Sequence, residues 1–205
     1  MLVKWIRCSV PAASRADFHK TQQAWQALAG LPGFVLQVGG WNAQDDSEAC
    51  ILAVWAGKTD YEFFMQHHHD RITGSSGQGK TYDTIIVTFF DVLWHSGDTA
   101  DWPAAFAGAE YLHITQHTVY PQRESHFLDT QRTIWGPEMG AAGMSAGLVS
   151  RLSPPGQRVY LTASAWLTDR PMQQGQNAQA ETDVISRAEL AVNLEPLWAV
   201  TQMRP

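Results

Sequence analysis

The sequence predicts an α+β fold made of two tandem β-α-β-β-α-β units, and the main observation behind this prediction is an internal repeat. Helix, strand and tryptophan landmarks recur in the same order in both halves of the chain. One matching pair could arise by chance, whereas a colinear series across both halves indicates a duplication. The paired landmarks are residues 18–25 with 127–135, Trp55 with Trp166, and Trp94 with Trp198.

Within the first copy, hydrophobic periodicity predicts four strands and two helices. The first helix carries Phe18, Gln22, Trp25 and Leu28 on one face. Residues 30–33 (GLPG) end this helix, because proline and glycine are unfavourable in a helix interior. The predicted strands span residues 3–10, 34–39, 49–55 and 82–90, and the helices begin near Ser14 and Thr59.

A β-α-β-β-α-β unit forms a four-stranded antiparallel sheet with both helices on one face, which is the ferredoxin-like arrangement. Because the other face of each sheet is left uncovered, we expect the two sheets to pack on each other within one chain, as an intramolecular pseudo-dimeric α+β barrel. The predicted organisation is an N-terminal unit over residues 1–94, a linker over 95–110 with room for one short helix, and a C-terminal unit over 111–205.

Composition and charge exclude several classes of function. A net charge of −6 argues against general binding of nucleic acids, which requires clustered Lys and Arg. No apolar run reaches the roughly 20 residues that span a bilayer. Lys4 and Arg7 interrupt the N-terminus, so we expect no signal peptide. Cys8 and Cys50 lie in apolar strands, which favours buried free thiols and a cytoplasmic protein.

These landmarks resemble the dimeric α+β barrel superfamily, which includes antibiotic-biosynthesis monooxygenases and IsdG-type haem-degrading enzymes. Over nearly its full length the chain further resembles the YdbC-like bacterial tandem family. The residues that carry this resemblance are 4–8 (KWIRC), 39–41 (GGW), 48–52 (EACIL), 69–72 (HDRI) and 131–135 (QRTIW).

The resemblance implies a small-molecule pocket in the N-terminal unit that binds or oxidises an aromatic or polycyclic ligand, with no cofactor. It disfavours haem, because the first strand lacks the asparagine of the haem-degrading members and Phe64 stands near the position of their helix-two tryptophan. The resemblance is also compatible with a homo-oligomer. Two alternatives remain: a non-catalytic binding or sensing protein with the same pocket, and a structural protein whose pocket is filled core.

The second helix contains the catalytic candidate, His68. Thr59 and Glu62 match a capping box at its start. Residues 61, 64, 65, 68 and 72 share one helical face, so regular α-helical spacing turns His68 towards the sheet and His67 and His69 to either side. An imidazole there can serve as a general acid or base. The alternative is a core histidine that donates to a backbone carbonyl.

Four further residues are predicted to line the pocket as ligand-binding residues: Trp55, Phe64, Gln22 and Trp25. Trp55 would form a flat wall for an aromatic ligand, or would be a core residue, as its counterpart Trp166 suggests. Gln22 interrupts an apolar helix face, so its amide must find a partner in a neighbouring element or in a ligand. No metal site is predicted, because three consecutive helical histidines cannot converge on one ion.

Residues 74–81 (GSSGQGKT) match the phosphate-loop pattern, but their context is wrong for it. That site needs a strand before the loop and a helix after it, whereas here a helix precedes and a strand follows. The second copy's counterpart of helix two, residues 168–185, has no histidine and a poor apolar stripe. Any chemistry is therefore predicted to belong to the first copy.

Overall fold

The computed structural model describes residues 1–96, 101–168 and 182–202. The chain forms two compact units, of which unit 1 comprises Met1–Phe89 with Val192–Pro205 and unit 2 comprises Phe90–Ala191. This division differs from the predicted one in two ways. The first border falls inside a strand that runs from one unit into the other, and the C-terminal segment belongs to unit 1.

Nine strands and six α-helices are present in the described part of the chain. The strands are β1 (Leu2–Ser9), β2 (Phe34–Asn42), β3 (Glu48–Trp55), β4 (Thr84–Ser96), β5 (Tyr111–Val119), β6 (Met144–Leu152), β7 (Val159–Trp166), β8 (Val184–Leu194) and β9 (Val200–Thr201). The helices are α1 (Arg15–Gln22), α2 (Lys58–Phe64), α3 (Asp70–Ser76), α4 (Trp102–Ala107), α5 (Glu124–Thr130) and α6 (Gly136–Ala141). None of them is long and apolar enough to cross a bilayer.

In unit 1 the strands lie in the order β4–β1–β3–β2, with β9 and the end of β8 beside β2. β3 pairs antiparallel with both β1 and β2. The register places Leu2 opposite Trp55, and alternation then turns the even-numbered residues of β1 and the odd-numbered residues of β3 to the same face. Several of these residues contact the helices, so this face is the one that the helices cover.

Two helical segments cover that face, and neither is a regular α-helix throughout. α1 continues into a 3₁₀ segment over Gln23–Gly30. α2 and α3 are joined by a π-helical turn over Met65–His69. The predicted capping box is wrong: Gly57 occupies the N-cap, and no side chain caps the helix.

The C-terminal segment returns to unit 1 through close backbone and aromatic packing. A Cβ atom on Gly40 would lie 1.9 Å from the carbonyl oxygen of Asn193, so only glycine allows the end of β8 to pair here. Trp198 is fully buried, and its ring lies 5.6 Å from that of Phe18 and 5.4 Å from that of Trp41. Burial of this indole ties residues 192–202 to the N-terminal part of the chain.

In unit 2 the strands lie in the order β6–β7–β5–β8, and residues 90–96 of β4 lie beside β6. α5 and α6 are joined by a second π-helical turn, over Gln131–Trp135. The short helix expected in the linker is α4. Most of the predicted counterpart of helix two, residues 169–181, lies outside the described residues, and its predicted end is wrong because Val184 and Ile185 belong to β8. The tandem origin of the two units and the packing of one sheet on the other stay predictions.

Both cysteines are buried and free. The register pairs Cys8 with Ala49 and Arg7 with Cys50, so the two thiols lie on opposite faces of adjacent strands and cannot meet. Burial raises the pKa of Cys8 to about 12, and burial next to the carboxylate of Glu48 raises the pKa of Cys50 as well.

We therefore expect neither thiol to react with Ellman's reagent in native protein at pH 8, because the thiolate is the reacting form. After denaturation in guanidinium both should react. Absorbance of the released thionitrobenzoate measures this directly. Rapid labelling of one thiol without denaturant would contradict the burial described here.

Candidate functional site

Unit 1 contains a cavity of about 110 Å³ between the helix-covered face of its sheet and the helices. Its floor comes from β1, β2 and β3, and its walls come from α1, the 3₁₀ segment, the π turn and the loop before β4. The cavity is lined by Lys4, Ile6, Cys8, Phe18, Gln22, Trp25, Leu28, Gln37, Ile51, Ala53, Trp55, Phe64, His69, Thr73, Gln78, Tyr82 and Ile85.

Three residues of the wall are connected by two hydrogen bonds. The indole Nε1 of Trp25 donates to Oε1 of Gln78 at 2.8 Å, and Nε2 of Gln78 donates to Oε1 of Gln22 at 2.6 Å. An indole N–H can only donate, so the oxygen of Gln78 must face Trp25 and its NH₂ group must face Gln22. Gln22 therefore accepts with its oxygen, and its own NH₂ group has no acceptor among the described residues.

A second amide lies on the floor. Gln37 on β2 is 4% exposed, and its Nε2 has no hydrogen-bond partner in the described part of the chain. Gln37 lies opposite Ala53, whose small side chain leaves space above the sheet at this point. An unpaired buried amide costs roughly 1–3 kcal/mol, so this group is a candidate for binding a ligand's acceptor atom.

Lys4 is the basic side chain on the floor. Its Nζ lies 5.3 Å from the centre of the Tyr61 ring, and no carboxylate of the described residues forms an ion pair with it. Burial lowers the pKa of Lys4 to about 8, because the charged ammonium is poorly solvated in the cavity. At neutral pH Lys4 is thus mainly a cation, and it can donate to an anionic or carbonyl oxygen.

The π turn brings His69, and not His68, to the cavity. A π-helical turn contains more residues than an α-helical one, so it shifts the helix face that follows. This helical segment lines the cavity with Phe64, His69 and Thr73. The step from Phe64 to His69 is five residues and crosses the π turn, and the step from His69 to Thr73 is four residues. The prediction that His68 faces the cavity is wrong, because it assumed regular α-helical spacing through this turn.

His69 lies within a group of aromatic rings and beside a carboxylate. Its ring centre is 5.8 Å from that of Trp25 and 5.8 Å from that of Phe64. Its Nδ1 lies 3.0 Å from Oδ1 of the exposed Asp70. A carboxylate at this distance favours the tautomer in which Nδ1–H donates to it, which leaves Nε2 with a free lone pair.

His68 occupies a different environment, on the helix flank. Its ring centre lies 5.9 Å from that of Phe63 and 6.4 Å from that of His67. Its Nδ1 is buried without a hydrogen-bond partner among the described residues. His68 does not line the cavity, and it therefore provides a natural control for His69.

The other four predicted residues are placed together. Gln22, Trp25, Trp55 and Phe64 all line the cavity. The rings of Trp55 and Phe64 are stacked with centres 4.8 Å apart, and Trp55 is fully buried. Their roles in ligand binding stay predictions, since packing alone would also place aromatic rings here.

Besides His69, the polar cavity residues that were not predicted from the sequence include Lys4, Gln37 and Gln78. Lys4 and Gln37 lie at inward positions of otherwise apolar strands, and a polar residue at such a position is a signal that the sequence carries. Gln78 lies in the loop that resembles a phosphate loop. α3 extends into the start of this segment, Gln78–Lys80 within the segment form a single 3₁₀ turn, and β4 follows it. The order of helix, loop and strand excludes the phosphate-loop interpretation, as predicted.

The corresponding face of unit 2 has a different chemistry. Cross-strand pairs of β5 and β7 place His113 opposite Ser164 and His117 opposite Tyr160. Burial, together with the charge of Arg187, lowers the pKa of His117 to about 3, so this imidazole is neutral at neutral pH. By register, the position of Lys4 on β1 corresponds to His113 on β5. No group of three or more metal-ligating side chains occurs among the described residues of either unit.

Comparison of the chain with known proteins identifies its family. Residues 2–90 match the family described as "Domain of unknown function (DUF4937)". The chain is 37% identical over 93 residues to the uncharacterized protein YdbC of Bacillus subtilis (strain 168), an alignment that covers 44% of this chain and 78% of YdbC. The chain belongs to the YdbC family. Membership in a tandem branch of the YdbC family stays a prediction.

Solved structures show the fold of this YdbC-family chain. Two of them are named "putative monooxygenase". The structure from Lactobacillus acidophilus NCFM has a TM-score of 0.73 and 11% identity, and the alignment covers 98% of this chain and 96% of that one. The structure from Fusobacterium nucleatum has a TM-score of 0.75 and 7% identity, with coverage of 94% of this chain and 91% of that one. An anthrone oxidase-like protein has a TM-score of 0.61 and 13% identity, with coverage of 95% and 91%. The chain therefore shares the mixed α+β fold of these structures.

The two hydrogen bonds of Gln78 generate a prediction about stability. Replacing Gln78 with Leu leaves the indole N–H of Trp25 and the amide oxygen of Gln22 without partners. We expect Gln78→Leu to lower the free energy of unfolding by about 1–3 kcal/mol, measured by urea denaturation. Gln66→Leu, at an exposed position of the π turn, is the matched control and should change it by about 0.5 kcal/mol or less. Equal effects of the two changes would contradict the role of these bonds.

Proposed function

We propose that unit 1 binds a small phenol or enol with a single ring and promotes its oxidation by O₂ without a cofactor. The observation that carries this proposal is the combination, around one cavity, of aromatic walls, hydrogen-bond donors and an imidazole beside a carboxylate. Each of the three parts supports one requirement of such a reaction.

The size and walls of the cavity support a single aromatic ring. An engineered cavity of about 150 Å³ lined by apolar residues binds benzene, and the cavity of unit 1 measures about 110 Å³. This volume disfavours polycyclic ligands and is far too small for haem. The rings of Trp25 and Phe64 and the side chain of Leu28 provide apolar walls, against which a flat ligand can pack.

The hydrogen-bond donors of the cavity are suited to a ligand oxygen atom that carries negative charge. Lys4, Gln22 and Gln37 all belong to the cavity lining, and no Asp or Glu of the described residues does. A phenolate or enolate oxygen would satisfy the amide groups that have no protein acceptor. Donors that stabilise developing negative charge in a poorly solvated site contribute strongly to catalysis.

The imidazole of His69 supports removal of the hydroxyl proton. With Nδ1 directed to Asp70, Nε2 can accept a proton, which is the arrangement of a general base with an orienting carboxylate. The resulting phenolate is electron-rich and can transfer an electron to O₂. For phenol, the overall reaction with one O₂ gives benzoquinone and one water, so one oxygen atom enters the product and the other leaves as water.

One observation favours a second candidate function, which is binding without turnover. A cavity of about 110 Å³ is smaller than the cavity of about 150 Å³ that binds benzene, so a bound ring leaves no volume for O₂ beside it. A non-catalytic sensor of small phenols would use the same donors and walls. Binding and oxygen uptake must therefore be measured separately.

Binding is tested by calorimetric titration of the full chain with phenol, using anisole, which lacks the hydroxyl proton, as the control ligand. We expect Lys4→Met to weaken phenol binding by about tenfold, because a charged donor contributes more than a neutral one. Lys20→Met, which removes an exposed lysine, should leave the affinity unchanged. In the unmodified protein, affinity should fall as the pH rises through about 8, where Lys4 loses its proton.

Turnover is tested with an oxygen electrode and chromatography of the product. His69→Gln should reduce oxygen uptake by a factor on the order of 10²–10⁴, the usual contribution of a general base. His68→Gln should leave oxygen uptake unchanged. Binding without oxygen uptake would support the sensor, and equal affinity for phenol and anisole in all variants would contradict both functions.

A further inference from the structure

Unit 2 contains a second and larger cavity, which lies between the end of β4, the second π turn, α6 and the start of β6. Its volume is about 930 Å³, within the range of roughly 300–1,000 Å³ that is typical of small-molecule sites. Every described residue of its lining belongs to unit 2, and none of them lines the cavity of unit 1. The side chains that decide its chemistry are Trp94, Ser96, Arg132 and Met144.

Arg132 provides the positive charge of this cavity. Its guanidinium carbon lies 4.6 Å from the centre of the Trp94 ring, and no ion pair joins it to a carboxylate of the described residues. Stacking on an indole leaves the N–H groups at the edge of the guanidinium directed outwards. These groups match the two oxygens of a carboxylate. Among the described residues, no Asp or Glu belongs to the lining and competes for these groups.

Trp94 also carries an N–H group, which lies below the surface of the cavity. Its Nε1 is buried, and it has no hydrogen-bond acceptor in the described part of the chain. The hydroxyl groups of Ser96 and Ser145 also belong to the lining. An oxygen-bearing ligand would therefore meet the guanidinium of Arg132 and the side chains of Ser96 and Ser145 in one cavity.

The opposite wall is small and apolar. Gly140 on α6 lines the cavity, and a Cβ atom built on it would meet no other atom within 4 Å. Gly136, one turn earlier, would place a Cβ atom 3.2 Å from the hydroxyl oxygen of Ser96. Together with Met144, these glycines leave a wall of backbone and methyl groups, against which a flat apolar group can lie.

We propose that this cavity binds an aromatic monocarboxylate, with the carboxylate on Arg132 and the ring against the glycine face of α6. A single guanidinium matches a single negative charge, whereas a phosphate monoester carries nearly two charges at neutral pH and would need further cations. The aromatic part follows from the volume and from the apolar wall. The proposal does not depend on the function proposed for unit 1.

The test is calorimetric titration of the full chain with 1-naphthoate, and with the neutral 1-naphthamide as the control ligand. Naphthoate is too large for the cavity of unit 1, which measures about 110 Å³, so binding reports on unit 2. We expect naphthoate to bind at least about tenfold more tightly than naphthamide, because the carboxylate accepts charge-assisted hydrogen bonds.

Two variants locate the binding site. Arg132→Gln should weaken naphthoate binding about tenfold or more and leave naphthamide binding unchanged, and Arg71→Gln, at an exposed position of unit 1, is the charge-matched control. Gly140→Leu should abolish binding of naphthoate, because the new side chain covers the glycine face of α6 on which the ring lies. Leucine is also a better helix former than glycine, so the melting temperature of this variant should not fall.

Three results would overturn the proposal. The first is equal binding of naphthoate and naphthamide, which would mean that charge is not recognised. The second is an equal loss of affinity in Arg132→Gln and Arg71→Gln, which would indicate a nonspecific charge effect. The third is full naphthoate affinity in a folded Gly140→Leu variant, which would place the ligand elsewhere.

Discussion

The site of unit 1 depends on one physical constraint, which is that an indole N–H can donate a hydrogen bond but cannot accept one. Because Trp25 donates to Gln78, the orientation of the Gln78 amide is determined, and this in turn determines the orientation of Gln22. The NH₂ group of Gln22, at the end of this series, is then available to a ligand in the cavity. A tryptophan in the wall thereby sets which polar atom a ligand meets, although its own N–H group points to Gln78.

The second constraint is the π turn at Met65–His69. A regular helix would have placed His68 at the cavity. The cavity histidine and Asp70 would then have been two positions apart in the sequence instead of adjacent. With the extra residue in the turn, His69 lies between Trp25 and Phe64, directly before the carboxylate of Asp70. Such turns are rare and are often found at functional sites, which supports a role for this part of the helix.

Much of the fold could be predicted from the sequence, because strand alternation and helix periodicity are local. The predicted strand over residues 49–55 differs from β3 (Glu48–Trp55) by one residue, and the helical segment that begins near Ser14 is present. The return of the C-terminal segment could not be predicted in this way. It depends on the packing of Trp198 against Phe18, two residues that are far apart in sequence.

The site could be predicted only in part, for the same physical reason. Gln22, Trp25, Trp55 and Phe64 belong to elements with regular periodicity, and the structure places all four at the cavity. His69 was missed because a π turn has no distinct sequence pattern. Gln78 was missed because its hydrogen bonds join a loop to a helix more than fifty residues away.

The account is tested most directly by NMR of the side-chain amides in protein labelled with ¹⁵N on glutamine, with the signal of Gln22 assigned by its loss in Gln22→Glu. The central claim is that the NH₂ group of Gln22 is presented to the ligand because Gln78 and Trp25 orient it. Addition of phenol should shift the Gln22 amide signal in the unmodified protein, and this shift should be lost in Gln78→Leu while the protein remains folded. A Gln22 signal that phenol leaves unchanged, or that it shifts equally in both proteins, would contradict the claim.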